Sequence, residues 1–214
     1  MRRVRYQVAA SLDGYIAEPD GGEPDWIPRD PEVDFATLFD QFDTFLMGRR
    51  TFESVSEAGG GVSDAFAGKR VVVVSRTLKE ADHPGVQVVS DHLEEAVAAL
   101  RKERGKDIWL FGGGLLFRSL LDLGLVDTVE VAVIPVLLGG GIPLLPARAS
   151  RARLRLTGHR LYANTGTVLL EYDVEEHSHA RTSRRPRKAR RVTPRGARER
   201  RRRQAGGGFG GVLA

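Results

Sequence analysis

The sequence predicts an α/β fold in which a mostly parallel sheet carries helices on both faces. Apolar runs such as Ile108 to Phe111 are too short for helices, do not alternate with polar residues and stop at glycine, which is typical of strands buried on both faces. Segments with helical spacing of apolar residues follow several of these runs, and this alternation favours a parallel sheet. A turn at Asn164-Thr165-Gly166 predicts an antiparallel C-terminal hairpin at one edge.

Eight strands are predicted, each from a short apolar or alternating run. Val4 to Val8 alternates between apolar and polar residues, and Arg70 to Ser75 is dominated by β-branched valines. Pro135 interrupts the sixth run. The predicted strands span residues 4–8, 44–47, 70–75, 86–89, 108–111, 128–138, 154–161 and 167–174.

Four helices are predicted between these strands. The second begins at Arg49, and the fourth carries Leu116 and Leu120 on one face. The third is capped by Ser90-Asp91 and ends at Gly105. The first begins near Pro31, where the pattern of Val33, Leu38 and Phe42, together with Phe35 and Phe39, predicts a helix with an aromatic face.

The composition predicts one domain at residues 1–175, because 214 residues are enough for one substantial core. The absence of cysteine excludes disulfides and thiolate zinc sites, and the five histidines have no metal-ligand spacing, so no metal is expected. No run approaches the roughly 20 apolar residues of a membrane span. We therefore expect a cytoplasmic protein.

The remaining residues, 176–214, form a basic tail. They hold twelve Arg and one Lys against two Glu, a net charge of +11, whereas the whole chain carries only +5. With almost no apolar residues before Phe209, the tail is predicted to be disordered. It is either an arm that binds nucleic acid or acidic surfaces, or an extension without function.

Three predicted strands end in residues suited to phosphate binding. These segments are Gly48-Arg49-Arg50-Thr51, Ser75-Arg76-Thr77 and Gly112-Gly113-Gly114, and parallel strands bring their C-terminal ends to one edge. The first and third lead into helix N-termini, which favour anions, and Ser75-Arg76 suits a ribose 2′-phosphate. Each alone is equally compatible with a solvated turn or helix start, but together they predict NADPH.

The chain resembles dihydrofolate reductase and, more closely, the C-terminal reductase domain of the bifunctional riboflavin-biosynthesis deaminase-reductases. The matching segments occur in the family's order over residues 4 to about 174: SLDGYIA at 11–17, DW at 25–26, LMGRRTFES at 46–54, VVVSRT at 72–77 and IWLFGGGLLF at 108–117. The resemblance implies a dihydrofolate-reductase-like, three-layer α/β/α fold and NADPH as hydride donor.

The resemblance also implies a role for particular residues at the cofactor. Ala9 and Ile16 would flank the nicotinamide, and a cis peptide would join Gly112 to Gly113 near the cofactor. Ser75 and Arg76 would bind the adenosine 2′-phosphate. The other implied cofactor residues are Gly48, Arg49, Arg50, Thr51, Gly114, Leu115 and Leu116.

The substrate side departs from the folate enzymes. Asp30, Glu32 and Asp34 compete for the role of the family's pterin-binding carboxylate, and none has the family's spacing. Asp34 is the preferred candidate, with a first-turn acid favoured by the helix dipole as its alternative. Asp13 is expected to tighten its Asp-Gly turn or to contact substrate, and Trp26 to line the pocket or anchor its loop.

These observations predict an NADPH-dependent reductase acting on a C=N or C=O bond of a small heterocyclic substrate. The named activity it most resembles is 5-amino-6-(5-phosphoribosylamino)uracil reduction in riboflavin biosynthesis; the alternatives are dihydrofolate reduction and, in another class, nucleic-acid binding through the tail. A homodimer is expected, because Val129 to Leu138 and the LGGGIPLL that begins at Leu138 are too apolar for a lone edge.

Overall fold

The computed structural model describes residues 1–21, 24–57, 66, 68–147 and 149–175. The predicted basic tail, residues 176–214, therefore lies outside the described residues. Within the part of the chain that is described, no helix is long and apolar enough to cross a membrane.

The described residues form ten strands in two sheets. The large sheet has eight strands in the order β5-β4-β3-β6-β1-β7-β10-β9, and β2 pairs with β8 in a small second sheet. Only the pairs β7–β10 and β10–β9 of the large sheet are antiparallel, which confirms the predicted mostly parallel sheet with its C-terminal hairpin. The strands are β1 Val4–Ser11, β2 Tyr15–Ala17, β3 Phe42–Gly48, β4 Arg70–Val74, β5 Val86–Val89, β6 Asp107–Gly112, β7 Thr128–Ile134, β8 Ile142–Pro143, β9 Leu154–Tyr162 and β10 Thr167–Val174.

Helices cover both faces of the large sheet, so the fold has three layers. The described α-helices are α1 Phe35–Asp40, α2 Arg49–Glu57, α3 Leu93–Lys102 and α4 Gly114–Asp122, and a short 3-10 helix spans Glu80–Asp82. Leucines and valines of α3 and α4 pack on one face with Tyr6, Leu46 and Leu110, which we call the first core. Residues of α1 and α2 pack on the other face with Phe45 and Trp109, the second core.

The first predicted helix is wrong in its extent. It begins at Phe35 rather than near Pro31, and Phe42 is the first residue of β3 instead of the last turn of the helix. Phe42 is fully buried, and its ring lies 4.8 Å from that of Trp109. Phe39 and Phe42 are three residues apart, which matches a helical period. Phe39 nevertheless belongs to α1 and Phe42 to β3, and each packs in the second core from its own element.

The structure also corrects the predicted apolar edge. β7 is an interior strand between β1 and β10, and it ends at Ile134 because Pro135 lacks the N–H group that a ladder requires. Val129 and Val131 are buried in the first core. The apolar composition of β7 therefore reflects burial within the chain, whereas Leu137, which follows it, is 70% exposed. The edge strands of the large sheet are β5 and β9.

Gly114 offers a direct test of how the sheet edge is packed. A Cβ atom at this position would lie 2.6 Å from the carbonyl oxygen of Pro143 and 3.1 Å from Cδ of Pro146. Because one of these atoms is backbone, Gly114→Ala should lower the free energy of unfolding by roughly 1–3 kcal/mol, the usual range for overpacking. Urea unfolding of parent and variant measures this difference.

Gly140→Ala is the matched control, since a Cβ atom there meets nothing within 4 Å. Its free energy of unfolding should stay within about 0.5 kcal/mol of the parent. Equal unfolding midpoints for the two variants would show that the 143–146 segment is not held against α4.

Candidate functional site

Three neighbouring strands end side by side at the carboxyl edge of the large sheet. In the register of β3 with its neighbours, Met47 lies opposite Gly112 of β6, and Gly48 lies opposite Val74 of β4. Ser75 follows directly after β4. The three segments predicted to bind phosphates are therefore adjacent, and we call this region the ligand edge.

The ends of β3 and β6 approach each other closely. A Cβ atom on Gly48 would lie 3.9 Å from the carbonyl oxygen of Gly112, and one on Gly112 would lie 3.3 Å from the Thr51 hydroxyl oxygen. Gly112 has φ +144°, which other residues rarely adopt, and the Gly112–Gly113 peptide is cis, as the resemblance implies. The space over this peptide is a cradle that side chains would fill.

Helix α4 begins at this cradle. The Gly113 carbonyl accepts hydrogen bonds from the N–H groups of Leu116 and Phe117, which leaves those of Gly114 and Leu115 without an intrahelical acceptor. The Leu115 side chain is 61% exposed, whereas Leu116 is buried in the first core. Leu115 can therefore contact a ligand, and Leu116 anchors the helix that does so.

The two arginines at the start of α2 differ in their surroundings. The Arg49 guanidinium forms an ion pair of 2.7 Å with Glu53, one turn along the same helix. Arg50 is exposed and has no hydrogen-bond or ion-pair partner among the described residues. Of the two predicted phosphate ligands, Arg50 is thus the one whose charge is available without breaking an existing pair.

Ser75 and Arg76 have separate roles in the turn after β4. Ser75 is buried, and its hydroxyl oxygen accepts hydrogen bonds from the N–H groups of Thr77 at 3.2 Å and Leu78 at 2.9 Å. Arg76 is exposed and has no partner within the described ranges. Ser75 shapes the turn that presents the Arg76 guanidinium to solvent at the ligand edge.

Ala9 and Ile16 lie on either side of the loop that leaves β1. Ala9 is partly buried near the end of that strand, and Ile16 of β2 packs against the first core. Since β2 pairs with β8, the loop folds back over the carboxyl edge of the sheet. Because β1 is the parallel neighbour of β6, its C-terminal end lies at the same edge of the sheet as Gly112.

Asp13 links two loops instead of only tightening its own turn. Its carboxylate accepts hydrogen bonds from the Ser11 hydroxyl at 2.6 Å and from the N–H groups of Leu138 at 3.1 Å and Gly139 at 2.7 Å. The Ser11 hydroxyl, followed by these N–H groups, holds the pKa of Asp13 below its usual value. A carboxylate so occupied is ionised at neutral pH.

The three acidic residues before α1 all contact other groups of the chain. Asp34 caps α1 by accepting from both the hydroxyl and the N–H of Thr37, which lower its pKa. Asp30 is buried and accepts from the Thr165 hydroxyl at 2.9 Å. Glu32 pairs with Arg160 at 3.1 Å. The contacts of Asp30 and Glu32 fasten the loop before α1 to the β9–β10 hairpin.

Trp26 lies half-buried in the same loop. Its indole Nε1 is inaccessible to solvent and has no hydrogen-bond partner in the described part of the chain. A buried indole N–H usually has an acceptor, so Trp26 has an unused donor on the loop that precedes α1. This is compatible with either predicted role, lining a pocket or anchoring the loop.

The sequence analysis missed a buried charged group between two strands of the large sheet. Glu130 of β7 is 4% exposed and receives two hydrogen bonds of 2.7 Å from Arg5 of β1 and one of 2.9 Å from the Thr128 hydroxyl. The alternation of polar residues in both strands was the available signal. The pairing holds β1 against β7, and no part of it reaches the ligand edge.

Comparison with known proteins identifies the family. The model of the RibD C-terminal domain matches residues 2–168, which is most of the chain. The chain belongs to the RibD C-terminal domain family. The match spans β1 to the start of β10, so it includes every segment of the ligand edge.

Individual relatives agree with the family and with the fold. The uncharacterised protein YyaP of Bacillus subtilis is 34% identical over 80% of this chain and 94% of its own length. A Shewanella sp. PV-4 protein whose name assigns it to riboflavin biosynthesis is 27% identical, with a TM-score of 0.70 over 82% of this chain and 100% of its own.

More distant structures share the fold alone. The deaminase/5-amino-6-(5-phosphoribosylamino)uracil reductase of Thermotoga maritima has a TM-score of 0.60 at 18% identity, over 81% of this chain and 57% of that one. Dihydrofolate reductase of Enterococcus faecalis, solved with NADP(H), has a TM-score of 0.58 at 16% identity. The match covers 81% of this chain and 97% of that one. The fold is therefore dihydrofolate-reductase-like, as the resemblance implied.

Proposed function

We propose that this member of the RibD C-terminal domain family is an NADPH-dependent reductase that transfers hydride to a C=N or C=O bond of a small heterocyclic substrate. The observation that carries the proposal is the ligand edge, where a glycine cradle and two helix N-termini lie at the ends of adjacent strands. The guanidiniums of Arg50 and Arg76, which have no partner among the described residues, lie at the same edge. Family membership supports the same class of activity.

The ligand edge fits a dinucleotide with three phosphate groups. Gly112, Gly113 and the start of α4 leave room for a group close to the backbone, and N–H groups there favour a diphosphate. Thr51 and Arg50 flank the same place from α2. Arg76, presented by the Ser75 turn, supplies the fork-shaped cation that a 2′-phosphate requires.

Bound NADPH would supply the hydride from C4 of its nicotinamide. The role of the protein is to align the hydride donor with the hydride acceptor and to exclude water. Ala9 and Ile16 are proposed to flank the nicotinamide from the loop after β1. No ionisable side chain is assigned as proton donor, because the pKa of the preferred candidate, Asp34, is lowered rather than raised.

The substrate proposed is a ribosylaminouracil phosphate of the riboflavin type, with dihydrofolate as the second candidate. Recognition of a pterin needs a free carboxylate near the start of α1. Asp30, Glu32 and Asp34 are each occupied by other groups of the chain. This occupancy, together with the family match, favours the uracil derivative.

Oxidation of NADPH in the presence of candidate substrates tests this proposal. We expect turnover with 5-amino-6-(5-phosphoribosylamino)uracil and none above background with dihydrofolate. A higher kcat/KM for dihydrofolate would favour the second candidate. If neither is reduced while simple carbonyl compounds are, the reductase class stands and the riboflavin-type substrate is wrong.

Cofactor choice depends on Arg76. We expect the protein to prefer NADPH over NADH, and Arg76→Ala to raise the Kd of NADPH roughly 10- to 150-fold, which corresponds to about 1.5–3 kcal/mol for hydrogen bonds to a charged group. NADH affinity should change little, because NADH lacks the 2′-phosphate. Fluorescence titration of both cofactors gives these constants.

Arg104→Ala is the control for this measurement. Arg104 is also exposed and has no partner among the described residues, but it lies before β6, at the amino edge of the sheet. Its removal should leave both affinities unchanged. Equal affinity of the parent protein for NADPH and NADH would contradict the role given to Arg76.

We also propose that two copies associate through the β9–β10 hairpin. Leu154, Leu156 and Leu161 of β9 are 44%, 51% and 62% exposed. They lie opposite Val174, Tyr172 and Val168 of β10, and an irregularity between Glu171 and Tyr172 keeps all three leucines on one face of the sheet. An apolar face of this kind on an edge strand is normally covered, and a symmetric dimer covers both copies at once.

Sedimentation at micromolar concentration tests the proposed dimer. The parent should sediment as a dimer, and Leu156→Glu should shift it to a monomer, because two carboxylates would be buried at the interface. Leu123→Glu is the control, since Leu123 is 41% exposed at the end of α4 and lies outside the sheet. A monomeric parent, or dissociation by both variants alike, would contradict the proposal.

A further inference from the structure

The loops that follow β1 and β7 are joined at the carboxyl edge by Asp13. One carboxylate oxygen accepts from the N–H group of Leu138 and the other from that of Gly139, at 3.1 and 2.7 Å. A backbone hydrogen bond of 2.9 Å from Leu12 to Val136 runs beside them. We call this set of contacts the Asp13 clasp.

Ser11 fixes the position of the Asp13 carboxylate. Ser11 is 2% exposed, and its hydroxyl donates to Asp13 at 2.6 Å while accepting from the N–H group of Tyr15 at 2.9 Å. Gly14, which lies between Asp13 and Tyr15, has φ +85° and donates its N–H to the Ser11 carbonyl. The SLDGY segment is therefore a tight turn whose side chains point the carboxylate at the other loop.

The second loop continues from the clasp to the ligand edge. After Gly139 the chain forms β8, which pairs with β2, and Leu144 donates a hydrogen bond of 2.9 Å to the Gly14 carbonyl. Gly141 packs directly on the carbonyl of Ala17, and the Pro143 carbonyl lies where a Cβ atom of Gly114 would be. Residues 139–144 thus form a wall between β2 and the start of α4.

Three donors within the chain hold the Asp13 carboxylate. Oδ1 accepts from the Ser11 hydroxyl and from the N–H group of Leu138, and Oδ2 accepts from the N–H group of Gly139. These bonds come from both loops and fix the orientation of the carboxylate between them. The geometry therefore gives Asp13 a role in joining the two loops.

We infer that Asp13 is a positioning residue: it clasps the two loops so that β2, with Ile16, and the 139–144 wall stand in place beside the start of α4. The expected consequence is tighter binding of the nicotinamide cofactor, and this part of the inference rests on the proposed function. It assigns the acidic residue of the SLDGY turn to cofactor affinity rather than to substrate recognition.

Asp13→Asn tests the clasp, because asparagine keeps the size but turns one acceptor into a donor that opposes an N–H group. Exchange of the amide hydrogens of Leu138 and Gly139 should become roughly tenfold faster or more, since their acceptor is lost. The Kd of NADPH should rise by roughly tenfold, and the urea unfolding midpoint should match that of Asp40→Asn. Asp40 is the control: an exposed carboxylate paired with Lys106 at the amino edge.

Ser11→Ala and the double variant give a second, independent readout. If Ser11 and Asp13 act on the cofactor as one clasp, the double variant should have nearly the NADPH Kd of Asp13→Asn alone. Additive effects would show two separate roles and overturn the inference.

The outcomes distinguish the clasp from the proposed function. A parent that binds NADPH, together with an Asp13→Asn variant of equal affinity, overturns the positioning role and leaves the reductase proposal standing. A parent that does not bind NADPH overturns the proposed function. Unchanged amide exchange at Leu138 and Gly139 in Asp13→Asn overturns the clasp, whether or not the parent binds NADPH.

Discussion

The close approach of β3 to β6 at their C-terminal ends is the constraint on which the ligand edge depends. Gly112 has φ +144°, which other residues rarely adopt, and a Cβ atom there would lie 3.3 Å from the Thr51 hydroxyl oxygen in the first turn of α2. Helices α2 and α4 begin at this point, so two sets of helix N-terminal N–H groups converge. A side chain at position 112 would therefore strain the backbone of β6 and crowd Thr51 at the start of α2.

Charge is distributed unevenly between the two edges of the sheet. At the amino edge many charged side chains form ion pairs: Arg2–Asp43, Arg3–Asp173, Arg5–Glu130, Arg101–Asp127 and Lys106–Asp40. At the carboxyl edge Arg50 and Arg76 have no such partners within the described residues. The ion pairs between strands contribute to holding the sheet together, whereas the cations of Arg50 and Arg76 can attract an anionic ligand.

The sheet was predictable from the sequence because strands buried on both faces must be continuously apolar, as Ile108 to Phe111 are. The ligand edge was predictable because glycines and arginines follow three such runs. The pairing of β2 with β8 was not, since strands of three and two residues are too short to show a period. The contact of Asp13 with the second loop was not predictable either. Its partners there are backbone N–H groups 125 and 126 residues away, and since nearly every residue has such a group, no residue type identifies them.

The antiparallel course of β10 decides where the described domain can be attached to other molecules. Asp173 lies opposite Thr128, the first residue of β7, so the chain leaves the sheet at Val174 on the same edge at which β1 enters it. A surface or fluorophore joined directly to Glu175 is therefore tethered at the edge of the sheet opposite to Gly112. Attachment at that residue keeps the linkage away from the glycine cradle.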